Sequence, residues 1–265
     1  MSISRACSVC NQSRSGWYVK RKTKQLDGPL KARMREIAGT RIRFGFWRIF
    51  VLMRREGWKV NHKRVYRLYK EEGLNLRTKR PRRHRTAATR LDRPQLTGPN
   101  QLWSMDFVSD ALFNGNKFRA LTLVDNHTRE CLAIVVRQSI TGTGVVDALN
   151  QVVMNGRSMP SRIQADNGPE FVSIALDKWA YDNNVVLDFS RPGKPTDNPF
   201  VESFNGSFRD ECLNVNWFMS LEDAKNKIET WRHDYNHFRP HSSLADVPPA
   251  VFAGQFQLPQ HSRIF

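Results

Sequence analysis

The sequence predicts an α/β protein in two parts, an all-α region followed by a domain built on a mixed sheet. The first observation is charge, because residues 1–95 hold 27 basic and 6 acidic side chains while residues 96–265 hold 15 and 19. The first part therefore carries +21 and the second −4, which together give +17. The second observation is periodicity: apolar residues recur at helical spacing before residue 75, whereas β-rich runs begin after Gln101. A segment as cationic as the first part indicates a polyanionic partner.

Helices are predicted throughout the cationic part. Two short ones lie within residues 2–24, with Ser13 as an N-cap, and a basic helix follows Pro29 over residues 31–38. A stronger helix ends at Gly57, and its apolar stripe at i, i+3, i+4 and i+7 consists of Phe46, Ile49, Phe50 and Met53.

The next predicted helix begins after Asn61 as its N-cap and ends at Gly73. Its inward positions are apolar or aromatic: Val65, Leu68 and Tyr69. Its outer positions are basic: Lys63, Arg64, Arg67 and Lys70. Two helices joined by a tight turn, the second with a basic stripe, predict a helix-turn-helix whose second helix enters the major groove of DNA. The alternative, a solvated charged face, has to account for +21 over 95 residues.

Residues 76–95 are predicted to be a basic linker. This segment has hardly an apolar side chain and cannot form a core, so an extended path along DNA phosphates suits it. Its predicted DNA contacts are Arg80, Arg82 and Arg83.

The second part alternates strands and helices. Three strands, over residues 102–108, 118–125 and 131–136, are separated by turn residues and are predicted to be antiparallel. Alternating helices and strands follow, at residues 143–154, 162–165, 172–182 and 185–189. Three strands and then alternation predict a mixed α/β sheet.

Three acidic residues depart from this pattern. Asp106 lies in the middle of an apolar strand, Asp166 follows a strand, and Glu202 opens a helix after a loop rich in Pro and Gly. Three carboxylates brought together repel one another unless cations neutralise them. Mg²⁺ prefers oxygen ligands, and two such ions about 3.5–4 Å apart suit phosphoryl transfer. Taken singly, Asp106 fits a hydrogen-bonded strand residue and Glu202 a helix-start acid that the helix dipole favours.

Two further residues accompany Glu202. Asn205 and Arg209 follow it at i+3 and i+7 and therefore share one face of the predicted helix. A carboxylate that binds a metal ion, beside a cation that binds a phosphate, is consistent with an active site. Asn205 and Arg209 are both predicted to contact DNA.

The spacing of the cysteines bears on whether the chain binds zinc. Cys7 and Cys10 form one C-x-x-C, for which the loose additional zinc ligands are His62 and the pair His237 and His241. The alternative is that both cysteines are small residues buried on a helix.

No apolar run approaches the roughly eighteen residues that span a bilayer, so we expect a soluble, cytoplasmic protein without a membrane partner.

Taken together, these motifs resemble those of the integrase-like, OrfB-type subunit of bacterial insertion-sequence transposases. The resemblance runs over nearly the whole chain, and its segments are residues 13–18, 60–65, 103–106, 166–171, 197–206 and 235–244. It implies an RNase H-like catalytic core, shared with retroviral integrases, over residues 96–215. Residues 1–75 would form the helix-turn-helix region and residues 216–265 a helical extension of the core. One departure is Asn126, where relatives often carry a second Asp.

The resemblance also implies residue roles. Asp106, Asp166 and Glu202 would be the metal-binding triad, and the 35 residues between the last two match the family's spacing. Arg209 stands where the family has a basic residue that assists DNA binding. The implied cofactor is Mg²⁺, as two ions and replaceable by Mn²⁺. The segment with His237 and His241 looks structural in the family, which disfavours zinc there.

The implied activity is DNA transposition, with binding of the element ends, metal-dependent strand cleavage and strand transfer. The implied partners are double-stranded DNA, further copies of the chain in a synaptic complex, and an upstream OrfA-type protein. Two alternatives remain open, a catalytically inert DNA-binding regulator and an RNase H-like nuclease acting on RNA–DNA hybrids or branched DNA. The cationic helix-turn-helix region favours duplex DNA over hybrids.

Overall fold

The computed structural model describes residues 2–18, 27–76, 96–190 and 198–256. The predicted linker contacts Arg80, Arg82 and Arg83 lie outside the described residues. The helices of the N-terminal part are α1 (Ile3–Val9), α2 (Arg14–Tyr18), α3 (Asp27–Thr40), α4 (Phe46–Arg55) and α5 (His62–Glu71).

Helix α3 corrects the prediction of a helix over residues 31–38. It begins at Asp27 and ends at Thr40, so that Pro29 lies within its first turn rather than before it. Proline is tolerated there because the first N–H groups of a helix have no partner within the helix. An acid at the first position also suits the positive end of the helix dipole.

Helices α3, α4 and α5 pack around a shared apolar core, which confirms the predicted helix pair. Ile49 and Met53 of α4 are buried in it. The inward residues of α5 are buried as predicted: Val65, Leu68 and Tyr69. Asn61 caps α5 by accepting from Lys63 N–H at 2.8 Å. The residues that end the two helices, Gly57 and Gly73, have φ of +89° and +67°, which glycine adopts without steric cost.

A five-stranded sheet forms the second part, in the order β3-β2-β1-β4-β5. Its strands are β1 (Leu102–Ala111), β2 (Lys117–Asp125), β3 (Cys131–Arg137), β4 (Arg162–Ala165) and β5 (Val186–Phe189). The first three are antiparallel, as predicted, and β4 and β5 run parallel to β1. Strand β1 continues to Ala111, three residues beyond its predicted end, because its pairing with β2 extends to Lys117.

Helices cover both faces of the sheet. They are α6 (Gly142–Met154), α7 (Ile174–Asp182), α8 (Pro199–Glu211), α9 (Leu221–His237) and α10 (Pro249–Gly254). Met105 of β1 packs in one core with α6 and α7, while Val108 packs in a second core with α8 and α9. Helix α7 begins two residues later than predicted, because the side chain of Ser173 caps it.

The remaining expectations for the N-terminus have a mixed outcome. Cys7 is buried in α1, but Cys10 follows the end of that helix and is exposed, so the interpretation of two buried cysteines is wrong for Cys10. Among the helices that the structure describes, none combines the length and apolar character needed to cross a membrane.

Candidate active site

Strand pairing brings the two predicted aspartates together. Strands β1 and β4 are parallel, with Ser104 opposite Gln164. Continuing this register by two residues places Asp166 opposite Asp106, at the point where β4 has ended. Two carboxylates 60 positions apart in the sequence are therefore neighbours in the sheet, one in the middle of β1 and the other just beyond the carboxyl end of β4.

The Asp106 carboxylate is half-buried and held by two donors. Its Oδ1 accepts from the N–H of Phe107 at 2.7 Å, and its Oδ2 accepts from Nδ2 of Asn205 at 2.7 Å. Burial raises the pKa of Asp106, and the charge of Asp166 raises it further, although both hydrogen bonds act in the opposite direction. The two donors that hold the Asp106 carboxylate are an amide N–H of the backbone and an amide of a side chain, and neither carries a charge.

Asn205, predicted to contact DNA, is bound to the sheet at both ends of its amide. Its Nδ2 donates to Asp106, and its Oδ1 accepts from Oγ1 of Thr122 on β2 at 3.0 Å. The second N–H of the amide is not used by either bond. The i+3 spacing from Glu202 identified the right helix face, but that face packs on β1 and β2 at Asn205. The geometry makes Asn205 a positioning residue for Asp106.

Glu202 completes the acidic group from the first turn of α8. The Glu202 side chain is exposed overall, but partial burial of its carboxyl group raises the pKa of that group. The negative charge of Asp106 raises it further. Asp106 is therefore in electrostatic contact with both other acids. Within the described residues, however, no three acidic, cysteine or histidine side chains lie close enough together to form a ready-made ion site.

The donor set itself fits a hard cation. All three side chains offer carboxylate oxygens, which Mg²⁺ prefers. Asp166 and Glu202 are exposed, so each can move toward an ion at little cost in packing.

Arg209 lies on the same side of α8 as Glu202. Its Nη2 donates to the carbonyl oxygen of Ser109 on β1 at 3.1 Å, while the side chain stays exposed. A guanidinium carries five N–H donors, so this single bond leaves donors for another acceptor. The bond fixes the cation beside the strand that carries Asp106.

The predicted DNA contacts of α5 fall into two groups. Lys63 and Lys70 are exposed, and Nζ of Lys70 lies 4.6 Å from the ring centroid of Tyr66. Arg64 is half-buried and donates from Nε and Nη2 to Asp27 at 2.8 and 2.6 Å. These bonds fasten α5 to the start of α3, and they occupy two of the five N–H donors of the guanidinium that was predicted to contact DNA.

Arg67 is both paired within the protein and partly exposed. It donates to Asp27 at 3.1 Å and to Glu71 at 2.7 Å, yet half of its side chain remains exposed beside Lys63 and Lys70. A sequence signal for these pairs existed: Asp27 is the first acidic residue of the chain, in a segment that is otherwise basic.

Arginines of the helical unit also bind the sheet-containing part of the chain, which the sequence did not predict. Arg41 pairs with Asp234 of α9, and Arg48 donates to Glu211 of α8 at 2.8 Å. Three further residues of the helical unit make contacts of the same kind: Arg43, Trp47 and Arg55. In each contact the helical unit provides the donor and the acidic part provides the acceptor. A share of the +21 is therefore neutralised within the chain.

The segment with the two C-terminal histidines anchors α8. Arg239 is buried and donates from Nε and Nη2 to the Glu211 carboxylate, each at 2.8 Å. Burial lowers the pKa of His241 to about 3, and the Arg239 charge acts in the same direction, so the imidazole is neutral. Asn236 bonds both backbone groups of Cys131 at 2.9 Å. These contacts agree with a structural role for the segment.

Comparisons with known proteins identify the class to which this architecture belongs. Two integrase core domain families match residues 97–195 and 183–249, and an HTH-like domain family matches residues 25–83. A chain of the simian T-cell lymphotropic virus intasome has a similar fold, with a TM-score of 0.53 and 15% identity over 88% of this chain and 77% of its own length. Fold and site thus define a protein of the integrase-core class with a helix-turn-helix unit in front.

Similar sequences identify the family within that class. An insertion element IS407 protein of Burkholderia multivorans is 45% identical over 96% of this chain and 91% of its own length. A putative transposase InsK for the insertion sequence element IS150 of Escherichia coli is 26% identical over 87% of this chain and 85% of its own. The chain belongs to the insertion-sequence transposases of the OrfB type, as the sequence motifs predicted.

Proposed function

We propose that this transposase binds the ends of its insertion element and catalyses Mg²⁺-dependent DNA strand cleavage and strand transfer at Asp106, Asp166 and Glu202. The observation that carries the proposal is the β1–β4 register, which brings Asp166 beside Asp106, together with the electrostatic contact of Asp106 with both other acids. Two Mg²⁺ ions, replaceable by Mn²⁺, would supply activation of the attacking oxygen and stabilisation of the departing one.

The side chains around the triad have separate tasks in this proposal. Asp106 is held in place by Asn205, so it provides the fixed ligand, while the exposed Asp166 and Glu202 adjust toward the ions. Arg209 would bind a phosphate next to the scissile one, because it follows Glu202 at i+7 on α8 and keeps N–H donors beyond its bond to Ser109. Phosphate contacts of this kind position the DNA and carry no sequence information.

The helical unit would bind the terminal repeat through the exposed face of α5. Lys63, Arg67 and Lys70 lie on that face, and the linker arginines Arg80, Arg82 and Arg83 would follow the backbone. Two element ends must be brought together for transposition, so we propose that several copies of the chain assemble on them. An upstream OrfA-type protein, fused or separate, would contribute further DNA binding.

The direct test is an assay of the whole chain on an oligonucleotide duplex of the element's terminal repeat. We expect nicked and strand-transfer products with Mg²⁺ or Mn²⁺, and none after chelation, because only divalent cations neutralise the triad. Specific DNA binding without any product in either metal would support the inert regulator instead. Cleavage of RNA–DNA hybrid or branched DNA in preference to the duplex end would support the nuclease.

A second test addresses the DNA-binding face. Lys63→Ala combined with Lys70→Ala is expected to weaken duplex binding and to lower the slope of log affinity against log salt by about 2, since each lost phosphate contact removes about 0.9. The measurement is fluorescence anisotropy of labelled duplex at several salt concentrations. The control is Lys178→Ala with Lys225→Ala, which removes the same charge from exposed positions on α7 and α9. An equal loss in both double variants would show that only net charge matters.

A further inference from the structure

Asp166 depends on a short turn for its position. It follows the end of β4, is exposed, and accepts one hydrogen bond, at 3.0 Å, from the N–H of Gly168 within the same turn. The turn closes on itself, because the N–H groups of Phe171 and Val172 both donate to the Gly168 carbonyl at 2.9 Å. Whatever fixes this turn against the sheet therefore fixes the distance between Asp166 and Asp106.

Aromatic stacking provides one anchor. Phe171, fully buried at the end of the turn, stacks on Phe107 with ring centroids 4.8 Å apart and an interplanar angle of 23°. Phe107 is the neighbour of Asp106 on β1, so the ring contact joins the turn to the strand that carries the first aspartate. Stacked aromatic pairs of this geometry stabilise a contact beyond the effect of their buried area.

An ion pair provides the second anchor. Glu170 of the turn is bound by the guanidinium of Arg119, which projects from β2. The same guanidinium lies 4.1 Å from the ring centroid of Phe107. Arg119 is opposite Ser109 in the β1–β2 ladder, so it reaches the turn across the strand that carries Asp106. One arginine thereby contacts both the turn and the residue next to Asp106.

Charge explains why this arginine matters for the acidic group. Oxygen atoms of Asp166 and Glu170 lie only 3.0 and 3.3 Å from the point where a Cβ on Gly168 would stand. Both carboxylates therefore lie beside the Gly168 backbone, and like charges in one short turn repel each other. The guanidinium of Arg119 supplies the counter-charge for Glu170 and lowers the pKa of its carboxyl group.

We propose that Arg119 and Glu170 are positioning residues, which hold the turn that carries Asp166 at the spacing from Asp106 needed for the two aspartates to share divalent cations. The proposal rests on the proposed function of the triad and adds two residues to it. Neither contacts the reacting atoms. They act through Asp166, much as outer-shell partners orient the ligands in other metal sites.

The experiment measures metal affinity rather than activity alone. Mn²⁺ is titrated into the whole chain bound to a terminal-repeat duplex, and free Mn²⁺ is followed by electron paramagnetic resonance, with strand transfer assayed in parallel. Arg119→Ala is expected to weaken Mn²⁺ binding and raise the Mn²⁺ concentration for half-maximal strand transfer, both on the order of 10- to 100-fold. Arg119→Lys keeps the charge but loses the planar stack, so its affinity is expected to lie between those of Arg119→Ala and the wild type.

The matched control is Arg137→Ala. Arg137 is the partner of Arg119 in the β2–β3 ladder and is exposed, so this variant removes the same charge one strand further out. We expect Mn²⁺ affinity unchanged in the control. Exchange of the pair, as Arg119→Glu with Glu170→Arg, is expected to recover part of the affinity lost in Arg119→Ala, because the ion pair returns without the contact to Phe107.

Each other outcome contradicts the proposal. A lower Tm of Arg119→Ala with unchanged Mn²⁺ affinity would leave only a structural role, and weaker DNA binding at unchanged Mn²⁺ affinity would make Arg119 a DNA contact. Failure of the proposed function itself has a different signature, since the wild type would then bind no Mn²⁺ at the triad and transfer no strands.

Discussion

Asp106→Asn is expected to reduce strand transfer at least on the order of 10³-fold, while folding and DNA binding persist. The amide removes the charge of the one triad ligand that the protein holds firmly, and a divalent cation then loses a charged ligand close to the scissile phosphate. The fold tolerates the change, because an amide oxygen can still accept from the Phe107 N–H and Asn205 can rotate its amide to pair with the new one.

Thermal stability gives this variant a second readout with a definite sign. The pKa of Asp106 is raised in the folded state, so its ionisation opposes folding: the contribution is favourable below the unfolded pKa and is lost as the pH rises through the folded one. Without metal at neutral pH, the Tm of Asp106→Asn is therefore expected to equal or exceed that of the wild type. Mg²⁺ should raise the Tm of the wild type and leave that of the variant unchanged.

The control for this prediction is Asp110→Asn, the same substitution four residues further along β1. It should retain strand transfer and the Mg²⁺-induced rise in Tm. Residual activity of Asp106→Asn above a tenth of wild type would remove Asp106 from the metal site, and equal losses in both variants would indicate a general effect of charge on β1.

Glu211→Ala is expected to destabilise the protein by about 3–5 kcal/mol, the largest stability effect among these variants. Glu211 and Arg239 are both buried, with 8% and 6% of their side chains exposed, and the glutamate also accepts from Arg48. Removing the carboxylate leaves the buried Arg239 charge without its counter-charge, which costs far more than the pair contributes. Among the described residues, only the neutral Ser207 and His241 then remain as its hydrogen-bond partners. Denaturant unfolding monitored by circular dichroism measures the loss.

Two further variants make the reason testable. Asp210→Ala removes the neighbouring acid, whose side chain is 60% exposed in its pair with Arg43, and is expected to cost about 0–1 kcal/mol. Glu211→Ala combined with Arg239→Met is expected to regain much of the lost stability, since replacing both members of a buried pair by apolar groups is often neutral. If the double variant is as unstable as Glu211→Ala alone, the buried charge is not the cause.

The Glu211 contacts also connect the helical unit with α8. Helix α8 carries Glu202 in its first turn and Glu211 at its end, where Arg48 of α4 and Arg239 of the C-terminal segment converge on one carboxylate. The cationic unit thus supplies donors to the helix that bears a triad residue. This contact corrects the simple interpretation of the +21 as charge available to DNA.

Local features of the sequence were sufficient for most of the fold. The apolar stripe of α4, the Asn61 cap and the glycine at position 73 each act within a few residues, so their effects are visible in a short window. The same holds for the triad, because an acid inside an apolar strand is out of pattern wherever it occurs. Helix α3 was the exception, since Pro29 permits either a start before it or a start after it.

Tertiary structure alone decided which polar side chains face each other. The bond of Asn205 to Asp106 joins residues 99 positions apart, the Arg119–Glu170 pair spans 51, and the Arg64–Asp27 pair spans 37. By itself the sequence determined the element types, the mixed sheet, the cationic front and the three acids, because periodicity, caps and charge are local. The choice of partner over such separations depends on strand order and helix packing, and a short window of sequence contains neither. For this reason the sequence did not show that Arg64 and Asn205 bind carboxylates of the protein itself.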